Sequence, residues 1–91
     1  MPYAVKYHPL VVRHDIPALD QTWRTRIKSA IEQKLIPAPD LFGIPLRRSL
    51  KGHRKLRVGD YRIVFRLDKK TVVILAILHR SNVYQQVAGR V

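Results

Sequence analysis

Seven side chains in this sequence are of types suited to chemistry on a phosphate: His53, Lys55, Arg57, Arg62, His79, Arg80 and Tyr84. A guanidinium donates two parallel hydrogen bonds to phosphate oxygens and can oppose the charge that gathers there during reaction. A lysine set among arginines has its charged form disfavoured, so Lys55 could act as a base near neutral pH. His79 is of the residue type most used for acid and base roles near neutral pH. Tyr84 could stack on a base or donate its hydroxyl proton. Other routes to phosphate chemistry lack their residues. No paired carboxylates lie near this basic set. No His, Asp or Glu cluster has metal-ligand spacing, and His8 and His14 sit across a strand end and a helix. Gly52 and Gly59 belong to no phosphate-binding loop of the Walker type. Without metal or carboxylate, RNA can still be cut, because its own 2′-hydroxyl is the nucleophile. A site for that reaction takes the 2′ proton, neutralises the phosphate and returns a proton to the leaving 5′ oxygen. The expectation is a site with no metal and no cofactor.

The stretch from Leu50 to Phe65, LKGHRKLRVGDYRIVF, must position these groups. Leu56, Val58, Tyr61, Ile63 and Phe65 alternate along it, with Gly59-Asp60 between the two runs. That pairing favours a two-residue hairpin turn, which sets Val58 opposite Tyr61 and Arg57 opposite Arg62. Successive side chains point to opposite faces. Lys55, Arg57, Arg62 and Arg66 therefore gather on the side away from the apolar set, and Arg54 falls on the core side with no role. Like charges set opposite one another repel, so a hairpin that opposes Arg57 and Arg62 calls for an anionic partner.

Charge over the whole chain agrees. Eighteen Lys and Arg face six Asp and Glu, a formal net charge of +12 in 91 residues. From position 41 to 66 the bases are Arg47, Arg48, Lys51, Arg54, Lys55, Arg57, Arg62 and Arg66, against Asp60 alone. Nucleic acid and acidic protein are the partners such a surface fits. Arg47, Arg48, Lys51, His53, Arg57 and Arg66 are the expected RNA-binding set around the chemical one. No long basic amphipathic helix is visible, which argues against a membrane partner. The apolar run from Val72 to Leu78 is too short to span a bilayer. There is no cysteine, so no disulfide or thiolate site, and no apolar signal region opens the chain. The expected location is the cytoplasm.

The remaining elements follow from periodicity. Tyr3, Val5 and Tyr7 alternate as a first strand. Pro9 can open a short helix that Pro17 ends. Asp20 is placed as the N-cap of a helix from about Gln21 to Leu35, in which Trp23, Ile27, Ala30, Ile31 and Leu35 form one apolar stripe. Pro37, Pro39, Gly43 and Pro45 mark a loop, with Leu46 and Leu50 as anchors before the hairpin. Asp68-Lys69-Lys70 makes a second turn. The Val72 to Leu78 run should be a strand buried on both faces, and the tail VYQQVAGRV a short helix capped by Ser81 or Asn82. The expected fold is α+β over a single domain, 1–91. A strand and two helices should pack on one face of a mostly antiparallel sheet of about four strands, leaving the cationic face open.

PLRRSLKGHRKLRVGDYRIVF followed by VVILAILHRSNVY resembles the RelE/ParE superfamily of type II toxin–antitoxin toxins, nearly from end to end and closer to the RelE-like branch. The resemblance implies an mRNA interferase that cuts messenger RNA on the ribosome, restrained by a cognate acidic antitoxin. A ParE-like member would instead inhibit DNA gyrase by binding. Matched by motif, Arg62 takes the place of the phosphate-binding arginine, Lys55 that of a basic position implicated in catalysis and Arg57 a neighbouring positive one. Arg80 and Tyr84 match the arginine of the last strand and the tyrosine near the C-terminus. His79 matches a histidine that some branches use as acid or base. The chain departs from the pattern at His53, where some members carry lysine, and it lacks the hairpin Glu of the Glu–His–Tyr branch.

Overall fold

The computed structural model describes residues 2–90, the Ser49 side chain excepted. Met1 and Val91, the ends of the expected 1–91 domain, lie outside the described residues. Alternation builds five strands: β1 (Ala4–Tyr7), β2 (Ile44–Pro45), β3 (Arg54–Val58), β4 (Tyr61–Asp68) and β5 (Thr71–His79). They form one sheet in the order β1-β5-β4-β3-β2. β1 runs parallel to β5 and the other pairs are antiparallel. The fold is α+β, with one strand more than expected. The addition is β2, whose Ile44 and Pro45 pair with Lys55 and Arg54. A proline is tolerated there because an edge strand leaves one side of its backbone unpaired.

The β3–β4 hairpin turns at Gly59–Asp60, with Val58 opposite Tyr61 and Arg57 opposite Arg62, as the alternation predicts. Gly59 has φ +57°, and a Cβ there would stand 2.4 Å from Trp23 Cη2. Glycine thus serves both the turn and the close approach of the helix above it. That helix, α1 (Gln21–Ala30), opens at Asp20, whose carboxylate accepts from the Trp23 N–H at 2.9 Å. It runs on as a wider turn over Ile31–Leu35, where the Ile36 N–H reaches back to the Ile31 carbonyl. The short helix expected after Pro9 winds the same way over Val11–Asp15. A single turn, α2 (Pro39–Phe42), forms inside the expected loop, with proline at a first-turn position where a missing N–H costs nothing. Val11, Ile27, Ile31 and Leu35 are buried against Leu56, Ile63, Phe65, Val72, Ile74 and Ile77, each such side chain worth roughly 1.5–3 kcal/mol of burial.

The opposite face is not open, which corrects the expectation. α3 (Val83–Ala88) lays Val83 and Val87 on Val64, Ala76 and Leu50, with Leu46 and Leu78 at the margin. The reason is chemical: Val64 and Ala76 are apolar on the outward parity, so the middle of the sheet needs cover on both sides. Asn82 occupies the cap position of α3 without a side-chain bond; its N–H donates to the His79 carbonyl at 2.9 Å instead. Among the described residues, no helix is long and apolar enough to cross a membrane.

Candidate functional site

β3 and β4 carry Lys55, Arg57 and Arg62 onto the face that α3 shares. Lys55 lies opposite Val64, and Arg57 opposite Arg62. Same-face neighbours along a strand are about 6.6 Å apart and adjacent strands about 4.8 Å apart, so the three bases spring from one small area. α3 supplies the fourth group. With Val83 and Val87 turned to the sheet, Tyr84 reaches β3. Lys55 Nζ donates to Tyr84 Oη and lies 5.2 Å from the centre of its ring. Tyr84 remains 47% exposed, open to a ligand.

The hairpin turn gathers two arginines. Arg62 Nη1 donates to the carbonyls of Gly59 at 2.9 Å and Tyr61 at 3.0 Å, which holds the guanidinium over the turn. A guanidinium has five donors, so others remain for a ligand. Arg80, just past β5, donates its backbone N–H to the Asp60 carbonyl at 2.8 Å. Its Nε stands 3.9 Å from Asp60 Oδ1. Asp60, the acid of the hairpin turn, thus faces Arg80.

His79 is placed elsewhere. It pairs in register with Tyr61, on the helix side of the sheet. Its ring meets Tyr61 edge-on at 5.7 Å, and its Nδ1 is 2.8 Å from Ser81 Oγ. Trp23 continues the stack 4.8 Å from Tyr61, with Arg26 4.5 Å above it. His53 and Arg66 line a cleft of about 600 Å³ with Lys6 and His8. His53 Nδ1 is buried there without a hydrogen-bond partner among the described residues, and Arg66 lies 3.9 Å from Asp68. Arg47, Arg48 and Lys51 are exposed in the segment that leads into β3. Arg54, given no role, donates to the Gly43 carbonyl at 3.2 Å and so ties β3 to the loop after α2. Among the described residues, no group of three or more His, Asp or Glu converges as a metal site would require. The Tyr7 phenol is pushed above its ordinary range, first by burial and then by the Glu32 carboxylate; it belongs to β1 and not to this cluster.

Sequence reasoning missed Asp15 and Arg90. Their side chains meet in a buried ion pair, at 2.6 Å and 2.9 Å, behind α3. No local pattern announces a pair 75 residues apart.

Residues 5–84 match a family model described as the ParE toxin of the type II toxin–antitoxin system parDE. Toxin RelG of Mycobacterium tuberculosis is 34% identical over 88 residues, covering 94% of this chain and 100% of that protein. The crystal structure of the toxin–antitoxin complex RelBE2 from Mycobacterium tuberculosis holds a similar chain. It is 34% identical with a TM-score of 0.81, over 88% of this chain and 100% of that one. The free-state structure of a mutant of the E. coli toxin RelE has the same fold at 18% identity, with a TM-score of 0.74 over 99% of this chain and 94% of that one. Motif, fold and relatives agree: the chain belongs to the RelE/ParE superfamily of type II toxin–antitoxin toxins.

Proposed function

We propose that this toxin is a metal-independent endoribonuclease that cuts mRNA on the ribosome, and that a cognate acidic antitoxin restrains it. The observation that carries the reading is the Lys55–Tyr84 contact on a cationic face, with Arg57 and Arg62 beside it. In the proposed reaction the 2′-oxygen attacks the adjacent phosphorus and the bond to the 5′ oxygen breaks. The products are a 2′,3′-cyclic phosphate and a 5′-hydroxyl. Lys55 and Tyr84 handle the two protons. Because Tyr84 Oη accepts from Lys55, its own O–H is available to the leaving oxygen. Arg62 and Arg80 oppose the charge on the phosphate, and Arg57, Arg66, His53, Arg47, Arg48 and Lys51 attract the strand. His79 closes β5 with its ring edge-on to Tyr61 and its Nδ1 2.8 Å from Ser81 Oγ, next to Arg80, where it can serve as a further acid or base. The RelBE2 complex and the RelB–RelE complex of Methanococcus jannaschii are of toxins with antitoxins, which supports a protein partner of the same kind here.

The match to a ParE model supports a second reading, inhibition of DNA gyrase by binding without RNA cleavage. One experiment separates the two. The purified toxin is added to translating ribosomes, RNA ends are mapped, and gyrase supercoiling is assayed in parallel. Cyclic-phosphate ends, lost when the cut nucleotide carries a 2′-deoxy sugar, are the expected result. Intact RNA with blocked supercoiling would establish the second reading.

A further inference from the structure

α3 is too short to hold itself in place. Six residues make a helix well below the roughly 12–15 at which isolated helices become marginal, and no side chain caps its start. Tyr84, in its first turn, is 47% exposed, so burial does not fix it either. What fixes the far end is Arg90. Its Nη1 and Nη2 grip both oxygens of Asp15 at 2.6 Å and 2.9 Å, and Nη1 also donates to the Leu75 carbonyl at 3.0 Å. Asp15 in turn accepts from the Ile77 N–H at 2.9 Å. Both side chains are nearly sealed from solvent, Arg90 at 6% exposure and Asp15 at 1%.

The backbone explains why the pair sits there. β1 ends at Tyr7, opposite Ile74. In the same place the β4–β5 register skips Leu75. Beyond that point β5 has a carbonyl and an N–H with no strand beside them. Asp15, at the end of the Val11–Asp15 turn, and Arg90, just past α3, supply the acceptor and the donor. Three distant segments are thereby locked together through a planar two-pronged contact that lysine cannot reproduce.

We propose that Asp15 and Arg90 form a latch that positions Tyr84 for reaction. Arg90 lies six residues after Tyr84, about 9 Å along the helical path, and touches none of the reacting groups. Its action is through the seating of α3, which sets where the Tyr84 hydroxyl meets Lys55. The inference rests on the proposed ribonuclease reading for its rate effect, but the seating of α3 does not.

The test compares the wild-type toxin with Arg90→Ala and Arg90→Lys by hydrogen exchange and by single-turnover cleavage. Lysine keeps a charge beside Asp15 but loses the two-pronged grip. Expected are faster exchange in α3 with β3, β4 and β5 still protected, and a loss of about 100-fold in rate, the scale for an ångström-level misplacement. The salt dependence of RNA binding should stay unchanged, because no phosphate contact is removed. Arg90→Lys should recover part of the rate. Unchanged α3 protection and turnover in a folded variant would overturn the latch. So would global unfolding of both variants, since the pair would then support the whole fold and not α3. An inactive wild-type protein whose variants still loosen α3 alone would refute the ribonuclease reading and leave the seating role standing.

Discussion

At the scale of the residue, the cationic face combines groups with different duties. Arg62 is built into the hairpin turn through two carbonyls, whereas Arg57 across from it is exposed. The consequence is that Arg62→Ala has a structural cost as well as a functional one. Loss of its backbone contacts should lower stability by about 1 kcal/mol, a fall in Tm of roughly 4–8 °C for a domain of this size. Loss of a charge-stabilising donor should lower the cleavage rate by about 100–1,000-fold. Thermal melting and single-turnover cleavage of the variant read the two effects separately. A folded Arg62→Ala protein with wild-type turnover would remove Arg62 from the site.

At the scale of the element, the hairpin is held to α1 through one glycine. Trp23 packs on the turn at Gly59, where any Cβ would collide with the indole and the backbone has positive φ. Left-handed backbone costs a non-glycine residue about 1–2 kcal/mol, and overpacking typically adds about 1–3 kcal/mol. Gly59→Ala should therefore lower stability by about 2–5 kcal/mol. It should also disturb the seat of Arg62 and Arg80, which both bond to turn carbonyls. Urea unfolding monitored by Trp23 fluorescence measures the first effect, and an unchanged midpoint would show that Trp23 does not press on the turn.

At the scale of the molecule, the net charge of +12 dictates how the toxin meets its partners. RNA affinity should fall linearly in the logarithm of salt concentration, with a slope of about −0.7 for each phosphate neutralised on a single strand. Arg57→Ala should reduce that slope by about 0.7, as read by titration of a 2′-deoxy strand at several salt concentrations. A slope unchanged by the substitution would place the strand elsewhere. The proposed antitoxin should act on the same surface. An acidic segment that folds onto it should stabilise the toxin by about 2.7 kcal/mol at a hundredfold excess over Kd. It should also stop cleavage. Full cleavage by a saturated complex would show that neutralisation works away from this face.

Local patterns along the chain dictate most of the elements and the hairpin register, though not β2 or the single turn α2. Alternation and a two-residue turn leave one pairing for Arg57 and Arg62, and helical spacing after Asp20 leaves one face of α1 to bury. Both are local patterns, set within a few residues. The residue types of the site were legible for the same reason, since Lys55, Arg57 and Arg62 lie within one hairpin. How distant pieces meet follows from packing across the sheet. The outward Val64 and Ala76 draw α3 onto a face that the charges alone suggested was open, and that cover brings Tyr84 to Lys55. Pairing with Tyr61 sends His79 to the helix side, although its neighbour Arg80 joins the turn. Asp15 finds Arg90 because a skipped residue in β5 leaves backbone groups to satisfy. Such contacts arise from packing and from unpaired backbone at the sheet edge, and neither leaves a periodic trace in the chain.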